Sequence, residues 1–100
     1  MNRTEHLLVI LMEECDEVSQ RVAKALRFGL SEKQTGQQLT NAERVISEVH
    51  DLLAALEMLA TADALPHFAL PSAREAIDAK KEKVRRYLNY SREFCGTLTD

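Results

Sequence analysis

An all-α fold is what this sequence predicts: a bundle of three long helices, with room for a short turn helix, completed by oligomerisation. Three observations predict it. Gly (three) and Pro (two) are scarce among 100 residues, while the strong helix formers Leu, Ala, Glu, Lys and Arg are plentiful. Apolar residues recur at three- and four-residue steps along two segments, the spacing that puts them on one face of a helix. Box-like capping patterns stand at the heads of the second and third segments. At this length the chain makes one domain, 1–100, with enough surface to bury a core but little margin, so pairing with another copy is expected.

The first helix is expected from Thr4, as N-cap, to Phe28, with Gly29 as the stop. Leu7, Leu8, Leu11, Cys15, Val18, Val22 and Leu26 form its apolar stripe. Residues 29–40, "GLSEKQTGQQLT", make a polar connector that is long for a helix hairpin. The second helix starts at Thr40, where "TNAE" sets Glu43 three residues behind the cap. Its apolar face is Val45, Val49, Leu52, Leu53, Leu56 and Leu59, and it fades over Thr61–Ala64. "DALPHFALP", bracketed by Pro66 and Pro71, is a break. The third helix starts with "SARE", Ser72 capping and Glu75 closing a box, and runs to Phe94 before Gly96. Its apolar positions, Ile77, Val84, Tyr87 and Leu88, are sparse, its middle is basic, and the tail "GTLTD" is expected to fray.

Charge and composition narrow the function classes. A formal charge of −3 argues against a binder of nucleic acid polymers, which needs a basic surface. It leaves room for a nucleotide whose phosphates are carried on metal ions. No stretch approaches the roughly 20 apolar residues of a membrane helix. Leu7–Met12 is apolar, but acids flank it and no cleavage site follows, so a cytoplasmic protein without a targeting segment is expected. Cys15 and Cys95 lie too far apart in the chain to suggest a disulfide framework, and Cys15 is expected to pack as a small apolar group.

"LMEECDEVSQ" crowds Glu13, Glu14, Asp16 and Glu17 behind an apolar run. At about 100° per residue from Glu14, Glu17 falls near −60° and the apolar stripe between about +20° and +120°. Glu14 and Glu17 therefore edge the buried face, while Glu13 and Asp16 lean to solvent. From Glu48, Asp51 likewise falls near −60° and the stripe between about +20° and +100°. Each helix thus offers two acids at i, i+3 on the same side of its stripe. In an antiparallel hairpin the four carboxylates converge. Crowded carboxylates repel, and their pKa values rise unless basic groups or hard divalent cations neutralise them. Mg2+ prefers carboxylate oxygen and water and often binds substrate phosphates as well.

These residues also carry a resemblance. "EECDE" fits E-E-x-x-E and "EVHD" fits E-x-x-D, in an order and helical setting that resemble the MazG-like, all-α nucleoside triphosphate pyrophosphohydrolases. "KALRFG" (24–29), "N-x-E-R-x-x-S-E-x-x-D-L-L-A" from Asn41 and "K-x-x-K-V-x-x-Y-L-x-Y-S" from Lys80 look like short phage and bacterial members, so the resemblance spans roughly residues 7 to 95. Two departures stand out: His50 occupies the usual glycine place before the Asp, and the stretch between the motifs is long. The resemblance implies a hydrolase that cuts a nucleoside triphosphate between its α and β phosphates, giving monophosphate and pyrophosphate. It implies Mg2+, with Mn2+ able to replace it, as cofactor on Glu14, Glu17, Glu48 and Asp51. Glu13 is then a supporting catalytic acid. It implies a homodimer or homotetramer as well. Lys24, Arg27, Lys80 and Lys83 are the candidates for phosphate contacts, and Phe28 or Tyr87 for stacking on a base.

Competing expectations accompany these. The acids can be ordinary helix margins with ion pairs such as Glu17–Arg21. Lys80–Arg86 can be a solvated face. His50 points to the surface, and His6 and His67 lack the partner spacing of a zinc site. A di-iron bundle needs Glu-x-x-His pairs, which neither acid motif has. A non-catalytic helical interaction or nucleotide-binding module is the alternative function.

Overall fold

Caps and turn residues decide where the helices begin and end. The computed structural model describes residues 1–66 and 70–100, leaving the side chains of 70–72 undescribed. His67, the Ser72 cap and the centre of the expected break lie outside the described residues. Three α-helices and no strand are present among those described: α1 Arg3–Phe28, α2 Asn41–Thr61 and α3 Leu70–Tyr90, the last followed by a wider π turn at Ser91–Cys95. The chain divides into two compact units, Met1–His67 and Phe68–Asp100.

The first unit is an antiparallel hairpin of α1 and α2. Asn2, not Thr4, caps α1: its side-chain oxygen accepts from the Glu5 N–H at 2.8 Å, and its amide donates to Glu5 Oε1 at 3.2 Å. Asn is at least as good a cap as Thr, and Asn2-x-x-Glu5 is itself box-like, so the helix gains two residues, Arg3 and Thr4, at its start. Gly29 ends α1 at φ 103°, a conformation that strains a side chain, and its N–H donates to the Ala25 carbonyl. At α2 the box forms as expected. Thr40 Oγ1 accepts from the Glu43 N–H at 3.1 Å, and Glu43 Oε1 accepts from the Thr40 N–H at 3.0 Å. That bond holds the Glu43 carboxyl below its ordinary pKa. The far end of α2 closes with Asp63 at φ 56°, its N–H donating to the Ala60 carbonyl while the Ala64 N–H donates to that of Leu59. This pair of bonds is a Schellman closure with Asp where Gly is usual.

The connector is held rather than loose. Gly36, at φ 84°, sits at the third position of a Gln34–Gln37 turn, where a type II turn requires a positive φ. The Asn41 N–H donates to the Glu32 carbonyl and the Ala42 N–H to that of Leu30. Asn41 itself is 2% exposed, and its side-chain amide donates to the Gly29 carbonyl at 2.8 Å and to Glu32 Oε1 at 3.2 Å. One buried amide thus pins the connector to the end of α1. Leu7, Ala25, Ala55, Leu59 and Ala60 form the hairpin's dry core, with Leu59 fully buried. The small residues let the two helices approach closely.

The expected stripe of α1 is only partly covered. Val22 is 48% and Leu26 87% exposed, and Cys15 is exposed rather than packed. A two-helix unit covers one strip of each helix, and these residues lie beyond it. With Leu30, Val45 and Ile46, Val22 and Leu26 line an apolar groove of about 580 Å³.

In the second unit, α3 starts at Leu70, ahead of the expected Ser72, and its regular turn ends at Tyr90 instead of Phe94. Gly96 stops the π turn at φ 68°, donating to the Ser91 carbonyl. The rings of Tyr90 and Phe94 stack at 5.6 Å between centroids. The tail is tied rather than frayed at its last residue, because Arg92 Nε donates to the Asp100 backbone oxygen at 2.9 Å. Val84, Tyr87 and Leu88 are exposed along α3. Exposed pairs such as Arg85–Glu82 at 3.0 Å add little stability.

Candidate metal centre

Successive turns of α1 carry Glu14 and Glu17, and successive turns of α2 carry Glu48 and Asp51. Because the hairpin is antiparallel, the two pairs face each other. One carboxylate oxygen from each of the four residues lies within 4.8 Å of all the others. The convergence expected from the angular positions is therefore present. Glu14 and Glu48 are half-buried, while Glu17 and Asp51 keep an edge to solvent.

The electrostatics of this cluster are only partly relieved. Burial, first, then a hydrogen bond with Glu17 and the charges of Glu17 and Asp51 push the Glu48 carboxyl above its ordinary pKa. Arg21 pulls it back in part. Among the described residues, three buried side-chain polar atoms have no hydrogen-bond partner: Glu14 Oε2, Glu48 Oε2 and a terminal guanidinium nitrogen of Arg21. Leaving such a group unpaired costs about 1–3 kcal/mol, and more when it is charged. The Glu17–Arg21 ion pair expected of an ordinary helix margin is not among the ion pairs of the described residues.

The other anticipated residues separate. Glu13 is exposed, on the solvent side of α1. Lys24 is half-buried and, seven residues after Glu17, shares its margin. Arg27 is exposed and lies away from that margin, its guanidinium carbon 4.8 Å from the centre of the Phe28 ring. Phe28 is thereby engaged on one face. Lys80, Lys83 and Tyr87 are exposed on α3, in the second unit. His50 is exposed, as its angle indicates.

Comparison with family models, with curated proteins and with solved structures finds no match for this chain. No helix among the described residues is long and apolar enough to cross a membrane.

What the cluster can do follows from its donors. Four carboxylates offer only hard oxygen, the chemistry that suits Mg2+, Mn2+ or Ca2+ and not a thiolate-seeking metal. Two of their oxygens are buried and lack a proton donor, a position a bound cation would satisfy. The residues present therefore fit a divalent cation. Arg21 is the neighbour that sequence reasoning treated only as a counter-ion. Its signal was available: it follows Glu17 by four and Glu14 by seven, so it returns to the acids' own margin.

Proposed function

We propose that the protein is a Mg2+-dependent nucleoside triphosphate pyrophosphohydrolase, cutting between the α and β phosphates to release monophosphate and pyrophosphate. One observation carries the reading: two helices bring four carboxylates within 4.8 Å, and buried oxygens of Glu14 and Glu48 have no partner. The motif resemblance in the same four residues supplies the reaction class. Glu14, Glu17, Glu48 and Asp51 hold the cation, and Mn2+ can replace it. When bound there, the ion neutralises the acids, polarises a phosphate and acidifies water.

The chain's own residues do the rest. Glu14 and Glu48, rooted on separate helices, fix the spacing of the ligand set. Exposed Glu17 and Asp51 leave the open side by which a substrate enters. Glu13, next to the ligand pair but turned to solvent, orients water at the rim. Lys24 contributes positive charge on the same margin for phosphate. The protein acts in the cytoplasm as a homodimer or homotetramer. The exposed groove at Val22, Leu26, Leu30 and Ile46 supports that assembly, since apolar surface of this kind gains from cover by another chain.

Incubation with a panel of canonical, deoxy and modified triphosphates and Mg2+, following pyrophosphate release, tests the activity. Turnover of at least one triphosphate, lost in Glu14→Ala and Glu48→Ala, is expected. The apolar groove also favours a non-catalytic interaction module, which shows no Mg2+-dependent triphosphate binding or turnover.

A further inference from the structure

The orphaned atoms of the acid cluster are of both signs. Glu14 Oε2 and Glu48 Oε2 are acceptors without a donor, and the Arg21 guanidinium nitrogen is a donor without an acceptor. A cation alone satisfies only the first two. A permanent counter-ion for the acids does not explain Arg21 either. Such an arginine, one turn after Glu17, makes a paired contact with that carboxylate, and no such contact is present among the described ion pairs and hydrogen bonds of the chain. Arg21 stands near enough to Glu48 for its charge to be felt there, yet one of its terminal nitrogens has no partner and no described ion pair joins it to the four acids. What completes this donor is an anion that arrives together with the cation.

Position along the hairpin gives that anion a direction. Arg21 lies one turn from Glu17 toward the connector, and half-buried Lys24 follows it. On α2, Arg44 lies one turn from Glu48 toward the same end, its guanidinium donating to Gln34 Oε1 at 2.9 Å. The margin is thus acidic in the middle of the hairpin and basic toward the connector. Planar guanidinium matches the paired oxygens of a phosphate better than an ammonium does.

We propose that Arg21 is the polyphosphate-binding residue of this site, holding the β and γ phosphates toward the connector while the α phosphate lies at Glu14, Glu17, Glu48 and Asp51. The proposal rests on the pyrophosphohydrolase reading and adds the direction of the substrate to it. Arg21 then meets the charge that develops on the departing pyrophosphate, and the apolar groove on the other side of the stripe plays no part in holding it.

Calorimetry on the whole chain tests this with Mg2+ alone and with inorganic pyrophosphate in saturating Mg2+. In Arg21→Gln, pyrophosphate binding is expected to weaken about 10- to 100-fold, the usual loss for a hydrogen bond to a charged group. Mg2+ binding alone is expected to hold or tighten, because a positive charge leaves the acids' neighbourhood. Arg21→Lys, which keeps the charge and most of the stem, is expected to lose less. Helical circular dichroism and the melting temperature report whether each variant is folded. Unchanged pyrophosphate affinity in folded Arg21→Gln overturns the proposal and leaves the pyrophosphohydrolase reading standing. Loss of Mg2+ and pyrophosphate together in that variant overturns it as well, making Arg21 a positioning residue for the acids. A wild-type protein that binds no Mg2+ overturns both.

Discussion

Two sets of buried polar atoms in the same hairpin end in opposite states. At the connector, Asn41 is as dry as most of the core, and its amide nitrogen donates twice, at 2.8 Å to Gly29 and 3.2 Å to Glu32. Midway along the helices, Glu14, Glu48 and Arg21 bury polar atoms that have no hydrogen-bond partner. Both sets cost desolvation. Only the first recovers it inside the chain. The difference separates a polar residue that holds the fold from polar residues that, on the proposed reading, a ligand would complete. It makes the two positions respond to mutation in opposite ways.

The largest expected effect is on turnover. Glu48→Ala should lower pyrophosphate release by more than about 100-fold, beyond the 10- to 100-fold typical of groups one shell outside a metal. The variant should remain helical by circular dichroism. Asn41→Ala should do the reverse. It should cost about 1–3 kcal/mol of stability in denaturant unfolding, because the Gly29 carbonyl and Glu32 lose the Asn41 amide as a donor. Its Mg2+ response should survive wherever it is folded.

A subtler contrast comes from pH. The Glu48 carboxyl is pushed above its ordinary value, so the metal-free folded state binds that proton more tightly than the unfolded chain does. The resulting destabilisation is complete above the raised pKa and is relieved as pH falls through it toward the ordinary carboxylate value. The melting temperature of metal-free protein should therefore rise on mild acidification. Glu48→Gln should be more stable than wild type at neutral pH and lack that rise. Glu43 acts with the opposite sign: its lowered pKa contributes stability that is lost only as pH falls through that lower value. With Mg2+ bound, acidification should destabilise, since protons compete for the ligands. The smallest effect is expected at Asp63, remote from both sets of atoms. Asp63→Gly relieves the left-handed backbone at φ 56° and should stabilise by ~0.5 kcal/mol in thermal unfolding, without altering metal binding.

Where these features could be read in the sequence depended on whether their cause was local. The Thr40–Glu43 box and the Gly29 stop are decided by a few neighbouring residues and stood in plain view. The acid quartet was legible because helical angles put Glu14 with Glu17 and Glu48 with Asp51 on matching margins, and an antiparallel hairpin then brings the pairs together. The Asn2 cap was equally local but was masked by Thr4, another good capping residue. The role of Asn41 was not legible, because its partners depend on how the connector folds back upon the end of α1. The exposure of Val22, Leu26 and Cys15 was also hidden: periodicity marks the apolar side of a helix, not how much of that side a single neighbour covers. The orphaned Arg21 nitrogen needed coordinates as well, since spacing alone offered a ready pair with Glu17.

The most direct test of this account is a calorimetric Mg2+ titration of the wild-type chain beside Glu48→Gln and Asn41→Ala, near neutral pH and again under mild acid. Saturable binding is expected for wild type and for folded Asn41→Ala. It should weaken in acid and be lost in Glu48→Gln. Absence of saturable binding in wild type, or the same affinity in Glu48→Gln, would contradict the central claim that the unpaired carboxylates of this hairpin form a cation site.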